Sequence, residues 1–363
     1  MTLKARIVVE NLKEYHPPLA GREGLRLDFN ENAAGCSPRV LSALSRIEGD
    51  LLSKYPEREP VEQFVAEFLG LKSEQLLLTN GVDEGIHLVC ETYLEAGDEA
   101  LIVVPTFSMY EIYALATGAT VRTIRAGEAF TFPTARVREA ISARTKLIAI
   151  ANPNNPTGAA VTRDDLLKII AAAPQAAILV DEAYFEFYGQ TLIDLVGHHE
   201  NLFVARTFSK AYGLAGFRVG VLAGHSEQMR LLRRVSSPYN VNGVALACLP
   251  EALADREYVA HYVEQVMRGR DRLEAEFKKL EIPYWPSQAN FVLARFGDAR
   301  KSFVEEMRRR GILVRDRNSD PGCEGCVRIT VGTEQQTERL LREMRAVLQS
   351  LGFRKPSSAE VAK

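Results

Sequence analysis

Short uninterrupted apolar runs recur through the middle of the chain, and stretches with helical spacing lie between them. QLLLT (75–79), EALIVV (99–104), KLIAIA (146–151), AAILV (176–180), NLFVA (201–205) and FRVGVL (217–222) are predicted strands. They do not alternate apolar with polar, which predicts burial on both faces, as in a parallel sheet covered by helices. VEQFVAEFLG, TRDDLLKIIAAA and SEQMRLLRRV supply the helices. A long helical stretch, roughly 251 to 280, marks a change of pattern. After it come NFVLARF, the helix SFVEEMRRRG, the strands ILVRD and VRITV, and a last helix TERLLREMRAVLQSLG. The expected fold class is therefore α/β. A large, mostly parallel-sheet domain occupies 46–275, and a smaller α+β domain occupies 276–354. Residues 1–45 read as an N-terminal arm with part of the small domain, and KPSSAEVAK (355–363) reads as a disordered tail.

Composition narrows the function classes. The chain has 363 residues, 46% apolar and 25% charged, with a net charge of −2. No basic excess points to nucleic acid or a membrane surface. The N-terminus carries charges where a secretory leader needs an apolar stretch, and no apolar run reaches the roughly 18 residues of a membrane span. Five cysteines without a leader predict reduced thiols and a cytoplasmic address. Cys323 and Cys326 have the spacing of half a zinc site or a redox pair. Their Gly/Pro-rich setting, SDPGCEGC, reads as a turn, and no second ligand pair lies nearby.

Ligands of open parallel sheets bind beyond the carboxyl ends of the strands. Five strand ends here deliver polar or aromatic groups: NGVDEG, PTFSMY, NPNNPTG, DEAY and RTFSK. Gly81, Val82 and Asp83 open a helix and expose backbone amides suited to a phosphate, although Asn80 or Asp83 acting as a simple cap would read the same way. Thr207, Ser209 and Arg218 can complete a phosphate cup, while Arg218 alone could be an ordinary ion pair. Asp181 follows five apolar residues and needs a cation, which a protonated ring nitrogen or a salt bridge would supply. Asn155 sits in a turn stiffened by two prolines and presents an amide to a phenolic oxygen; Tyr184 can donate to the same oxygen. Phe107 is placed to stack on a flat ring, or simply to fill the core. Lys210 lies among these groups, where a lysine can form a Schiff base with pyridoxal 5'-phosphate.

NPNNPTG, DEAYFEF, RTFSKAYGLAGFRVG and VRITVGT, in this order, resemble the fold-type-I aminotransferases of class I/II, over nearly the whole chain. Within them, KYPE (54–57), TNGVDEGIHL (79–88), PTFSMY (105–110), GILVRD and GCVRITVGT resemble the histidinol-phosphate aminotransferases. The resemblance implies the aspartate aminotransferase-like fold and ping-pong transamination of L-histidinol phosphate with 2-oxoglutarate. It makes Lys210 the cofactor-anchoring lysine and proton shuttle, Asp181 the partner of the ring nitrogen, and Asn155 with Tyr184 the holders of the 3'-oxygen. Phe107 becomes the stacking ring, and Val82, Asp83, Ser209 and Arg218 the phosphate cup. Tyr55 would reach the cofactor phosphate of a neighbouring subunit, implying a homodimer. Arg328 would take the glutamate carboxylate and the substrate phosphate in turn, with Tyr15, Asn32 and Arg315 nearby. The arm departs from the usual NENPxGPSP: Ala33 and Cys36 replace prolines, which predicts a less stiff segment. An aromatic amino-acid aminotransferase and a threonine-phosphate decarboxylase share most of these motifs.

Overall fold

A computed structural model describes residues 3–18 and 21–353, so the expected tail at 355–363 lies outside the described residues. The strands are β1 (Leu25–Leu27), β2 (Leu76–Thr79), β3 (Glu99–Val104), β4 (Thr120–Arg125), β5 (Thr145–Ala151) and β6 (Ala177–Asp181), followed by β7 (Leu202–Thr207) and β8 (Gly220–Gly224). The last four are β9 (Tyr284–Trp285), β10 (Phe291–Arg295), β11 (Ile312–Asp316) and β12 (Cys326–Thr330).

Seven strands form one sheet in the order β2-β8-β7-β6-β5-β3-β4. From β7 to β4 all neighbours run parallel, whereas β8 runs antiparallel to both β7 and β2. The fold is a mixed α/β sheet with a largely parallel centre. β6, β7 and β8 are buried along their whole length. Each fully buried Leu, Ile or Val in such a strand contributes roughly 1.5–3 kcal/mol through removal from water. Helix Gly81–Tyr93 buries Val82, Gly85, Ile86, Val89 and Cys90, the spacing of one helical face. That face meets the sheet closely: a Cβ on Gly85 would lie 3.7 Å from the Leu222 Cβ.

A second sheet has the order β1-β11-β12-β10-β9. β1 belongs to the arm yet pairs in parallel with β11, Leu25 opposite Ile312 and Leu27 opposite Val314. Residues 28–31 therefore leave the small sheet pointing toward the large one. Where prolines were absent from the arm, hydrogen bonds tie it down. The Ala33 amide donates to the Tyr262 hydroxyl (3.3 Å), the Gln336 amide to the Ala33 carbonyl (2.9 Å) and the Tyr258 hydroxyl to the Gly35 carbonyl (3.0 Å). Among the described residues no helix is long and apolar enough to cross a membrane, and no group of three or more His, Cys, Asp or Glu could hold a metal ion.

Candidate active site

A cavity of about 220 Å³ opens at the carboxyl ends of the parallel strands. Val82, Asp83, Phe107, Asn155, Asp181, Tyr184, Thr207, Ser209, Lys210 and Arg218 all line it, joined by Phe29, Glu31 and Tyr110. Ladder register explains the convergence. Ala151 lies opposite Asp181 and Asp181 opposite Ala205, so the residues after β5, β6 and β7 emerge side by side.

Asp181 ends β6 and is buried. A buried carboxylate ordinarily needs a cation, and among the described residues Asp181 has none. Its oxygens accept from the Tyr110 hydroxyl (2.6 Å) and the Ala183 amide (3.0 Å). Burial pushes its pKa up to about 6, and those two donors oppose the rise. Lys210 is equally unpaired: its Nζ donates to the Phe29 carbonyl (3.0 Å), with no carboxylate at ion-pair distance among the described residues. Burial first, and the positive charges of Arg328 and Arg218, pull its pKa down to about 8, while Glu31 and Asp83 work in the other direction. A cavity with a lysine at one wall and an unpaired acid at another fits an aldehyde cofactor that carries a basic ring nitrogen.

The anion end is equally well matched. Helix Gly81–Tyr93 starts without a side-chain cap from Asn80, leaving first-turn amides for an external anion. Gly81 has φ +75°, and a Cβ there would sit 2.4 Å from the Arg218 guanidinium. Gly220 packs beneath it, where a Cβ would meet the Arg206 carbonyl and the Val82 amide, each at 3.0 Å. Arg218 reaches over this floor and pairs with Asp83 at 3.0 Å. The Thr207 hydroxyl accepts from the Ser209 amide (3.2 Å) and shapes the loop that leads into Lys210.

In NPNNPTG the three asparagines divide the work. The Asn152 side-chain amide donates to the Val161 carbonyl (3.2 Å), and its oxygen accepts from the Val161 backbone amide (2.8 Å). Asn154 bonds the Pro105 carbonyl and the Thr157 hydroxyl, both at 2.9 Å. Asn155 is left to face the cavity, where its carbonyl oxygen accepts from Arg328. The Tyr184 hydroxyl accepts from Asn30 at 2.9 Å, and Asn30 is itself held by Thr330 and Asn290.

Arg328 lies beyond this wall, directly opposite Arg315 in the β11–β12 ladder. Like charges facing across strands repel, and among the described residues neither has a carboxylate partner. Arg328 donates to the Asp28 carbonyl (2.7 Å), while its Nε and the Arg315 Nη1 are buried without any partner. Burial lowers the pKa of both, that of Arg328 to about 9, with Arg317 adding to the effect. Arg315 also covers the Phe29 ring at 5.0 Å, and Tyr15, 43% exposed, favours its charge.

Two expected residues lie elsewhere. Asn32 does not line this cavity: its amide donates to the Ala211 carbonyl (2.8 Å) and its oxygen accepts from the Ala34 amide (2.8 Å), fastening the arm to the loop after Lys210. Tyr55 is 79% exposed and stacks on Tyr239, ring centroids 4.4 Å apart. Sequence reasoning passed over Tyr110 and Asn30. Tyr110 stands one helical turn after Phe107 in PTFSMY, and Asn30 opens NEN, so both lay inside motifs already in view.

Residues 22–344 match the model of the family "Aminotransferase class I and II". The histidinol-phosphate aminotransferase of Caldanaerobacter subterraneus is 35% identical over 331 residues, covering 89% of this chain and 93% of its own. Histidinol-phosphate aminotransferase 1 of Bacillus cereus is 33% identical over 356 residues, with 96% and 95% covered. The crystal structure of histidinol-phosphate aminotransferase from Sinorhizobium meliloti, in complex with pyridoxal-5'-phosphate, superposes with a TM-score of 0.87 at 22% identity, covering 97% of this chain and 99% of that one. The chain belongs to the class I and II aminotransferases and is a pyridoxal phosphate-dependent transaminase.

Proposed function

We propose that this enzyme moves the amino group of L-histidinol phosphate onto 2-oxoglutarate in two half-reactions that share one site. The observation that carries the substrate is the Arg315–Arg328 pair, two guanidinium groups facing each other with no carboxylate partner among the described residues. An anion beside such a pair would offset their repulsion, and both a phosphate and a glutamate carboxylate meet that need. Relatives named for histidinol phosphate support the choice.

When bound, pyridoxal phosphate supplies the electron sink that lets an amine lose its α-proton. The protein does the rest. Lys210, with a pKa near 8, keeps a usable neutral fraction at physiological pH, both to bond the cofactor and to carry a proton between carbon atoms. Asp181 would hold a proton on the ring nitrogen, because an anion buried there gains a cation. Asn155 and Tyr184 would hold the ring oxygen, and Phe107 would stack on the ring. Gly81, Val82 and Asp83 amides, with Thr207, Ser209 and Arg218, would hold the phosphate. Asn32, Tyr15, Arg315 and Arg328 position the substrate, Asn32 through the arm it fastens. A homodimer would bring Tyr55 of one subunit to the phosphate of the other, and its exposure supports that reading. A cytoplasmic address agrees with five unpaired cysteines.

The test is a half-reaction. Cofactor-loaded protein is mixed with L-histidinol phosphate, phenylalanine, tyrosine, histidine or threonine phosphate, and loss of the bound cofactor's visible band is timed. Fast loss with histidinol phosphate alone is expected. Fast loss with phenylalanine or tyrosine and little with histidinol phosphate would overturn the substrate, and carbon dioxide from threonine phosphate would overturn the reaction type.

A further inference from the structure

Tyr110 is fully buried on helix Met109–Thr117, directly behind Phe107. The two rings meet edge to face, centroids 5.7 Å apart at 86°, which fixes how the Tyr110 ring stands. A buried phenol needs a partner for its hydroxyl, and this one has a carboxylate oxygen of Asp181 at 2.6 Å. That short contact crosses from the helix after β3 to the end of β6, so it links two elements that share no strand pairing. We propose that Tyr110 is a positioning residue for the cofactor: its hydroxyl aims the Asp181 carboxylate at the ring nitrogen and keeps it anionic, so that the proton they share stays on nitrogen.

The physical case is a contest over one carboxylate. Burial favours the protonated acid, and the negative charges of Asp83 and Glu182 push the same way. Against them stand two donors, the Ala183 amide and the Tyr110 hydroxyl. An ionised carboxylate is an acceptor only, so each donor aimed at it stabilises the charged form. Losing one leaves the anion held by a single amide, and the shared proton then moves from the ring nitrogen toward oxygen. A tyrosine that merely filled the core would do so equally well without its hydroxyl.

This inference rests on the proposed cofactor site, and the test separates the two. Wild type, Tyr110→Phe, and a protein carrying 3-fluorotyrosine at position 110 are loaded with pyridoxal phosphate labelled with ¹⁵N in its ring. The ring ¹⁵N shift is then compared at one pH, alongside thermal melting. Fluorine makes the hydroxyl a stronger donor at nearly the same shape. The expected outcome is a shift toward unprotonated nitrogen for Tyr110→Phe, and toward protonated nitrogen for the fluorinated protein. The proton-sharing equilibrium should move roughly tenfold in the first case, the worth of one bond to a charged group. If Tyr110→Phe does not fold, the fluorinated protein decides. Unmoved ¹⁵N shifts in proteins that do hold the cofactor overturn the role of Tyr110 alone. No lysine-bound cofactor in the wild type overturns that role and the cofactor site together.

Discussion

Lys210 shows how a single side chain acquires reactivity from its surroundings. Its ammonium, half-buried at the cavity wall, is hydrogen-bonded only to the Phe29 carbonyl, and burial with the charge of Arg328 favours the neutral amine. Capture of pyridoxal phosphate by the cofactor-free protein should therefore rise about tenfold per pH unit below pH 7 and level off above about pH 8. Stopped-flow absorbance measures this, and a plateau displaced to the ordinary lysine range near pH 10 would refute it. Asp181 carries the opposite signature. Its folded pKa, about 6, exceeds the carboxylate value of an unfolded chain, so its contribution is full below about pH 4 and is lost as pH rises through 6. Cofactor-free wild type should lose about 3 kcal/mol relative to Asp181→Asn over that window. Urea midpoints read it directly, and parallel pH curves for the two proteins would rule it out. Both residues stood out in the sequence because each follows an apolar run. Tyr110 did not, since a tyrosine in a helix is indistinguishable from core until its hydroxyl is seen to meet a carboxylate across the sheet.

At the scale of elements, apolar runs revealed five of the seven strands of the large sheet nearly in place, and all five run in one direction, as continuous burial predicts; β8 is the exception. β8 runs antiparallel although it is buried along its whole length, so continuous burial alone does not fix direction. FRVGVL also begins too early: Ala215–Phe217 is a short 3₁₀ turn, and the strand starts at Gly220. β4, TVRTIR, escaped notice because it is an edge strand with mostly exposed positions. β1 escaped because three residues in an arm carry no period. The direction of β8 matters, since it sets Gly220 opposite both Thr79 and Thr207, under the phosphate cup. Gly220→Ala should force the Val82 amide or the Arg206 carbonyl to shift. The expected result is cofactor affinity at least tenfold weaker with a stability loss of about 1–3 kcal/mol, measured by equilibrium dialysis and melting. Unchanged affinity would mean that the cup tolerates displacement of its floor. The β11–β12 ladder makes a second prediction. Arg315→Gln should raise KM for histidinol phosphate roughly 10- to 100-fold while leaving kcat within a few-fold, because it removes charge-assisted bonds remote from the reacting carbon. A fall confined to kcat would place Arg315 outside the substrate contact.

For the whole molecule, the exposed Tyr55–Tyr239 stack bears on the proposed sharing of sites between subunits. Mixing Lys210→Ala with Tyr55→Ala, each impaired, should restore about a quarter of wild-type activity, because half of the dimers are mixed and each of those holds one intact site. Activity that stays at the average of the two parents would exclude a shared site. The position of β1 has a consequence of another kind. Leu25 pairs with Ile312, so the strand made first waits for a partner made almost last. During synthesis Lys210, Asp181 and Asn155 leave the ribosome well before β11 and β12, and the contacts from Asn290, Arg328 and Thr330 that help to hold residues 28–30 in place cannot yet form. A nascent chain can thus assemble its reactive lysine while the wall made by Phe29 and Glu31 still lacks its anchor in the small sheet. Full fastening of the wall beside that lysine therefore comes only after the groups that give it its chemistry have been made.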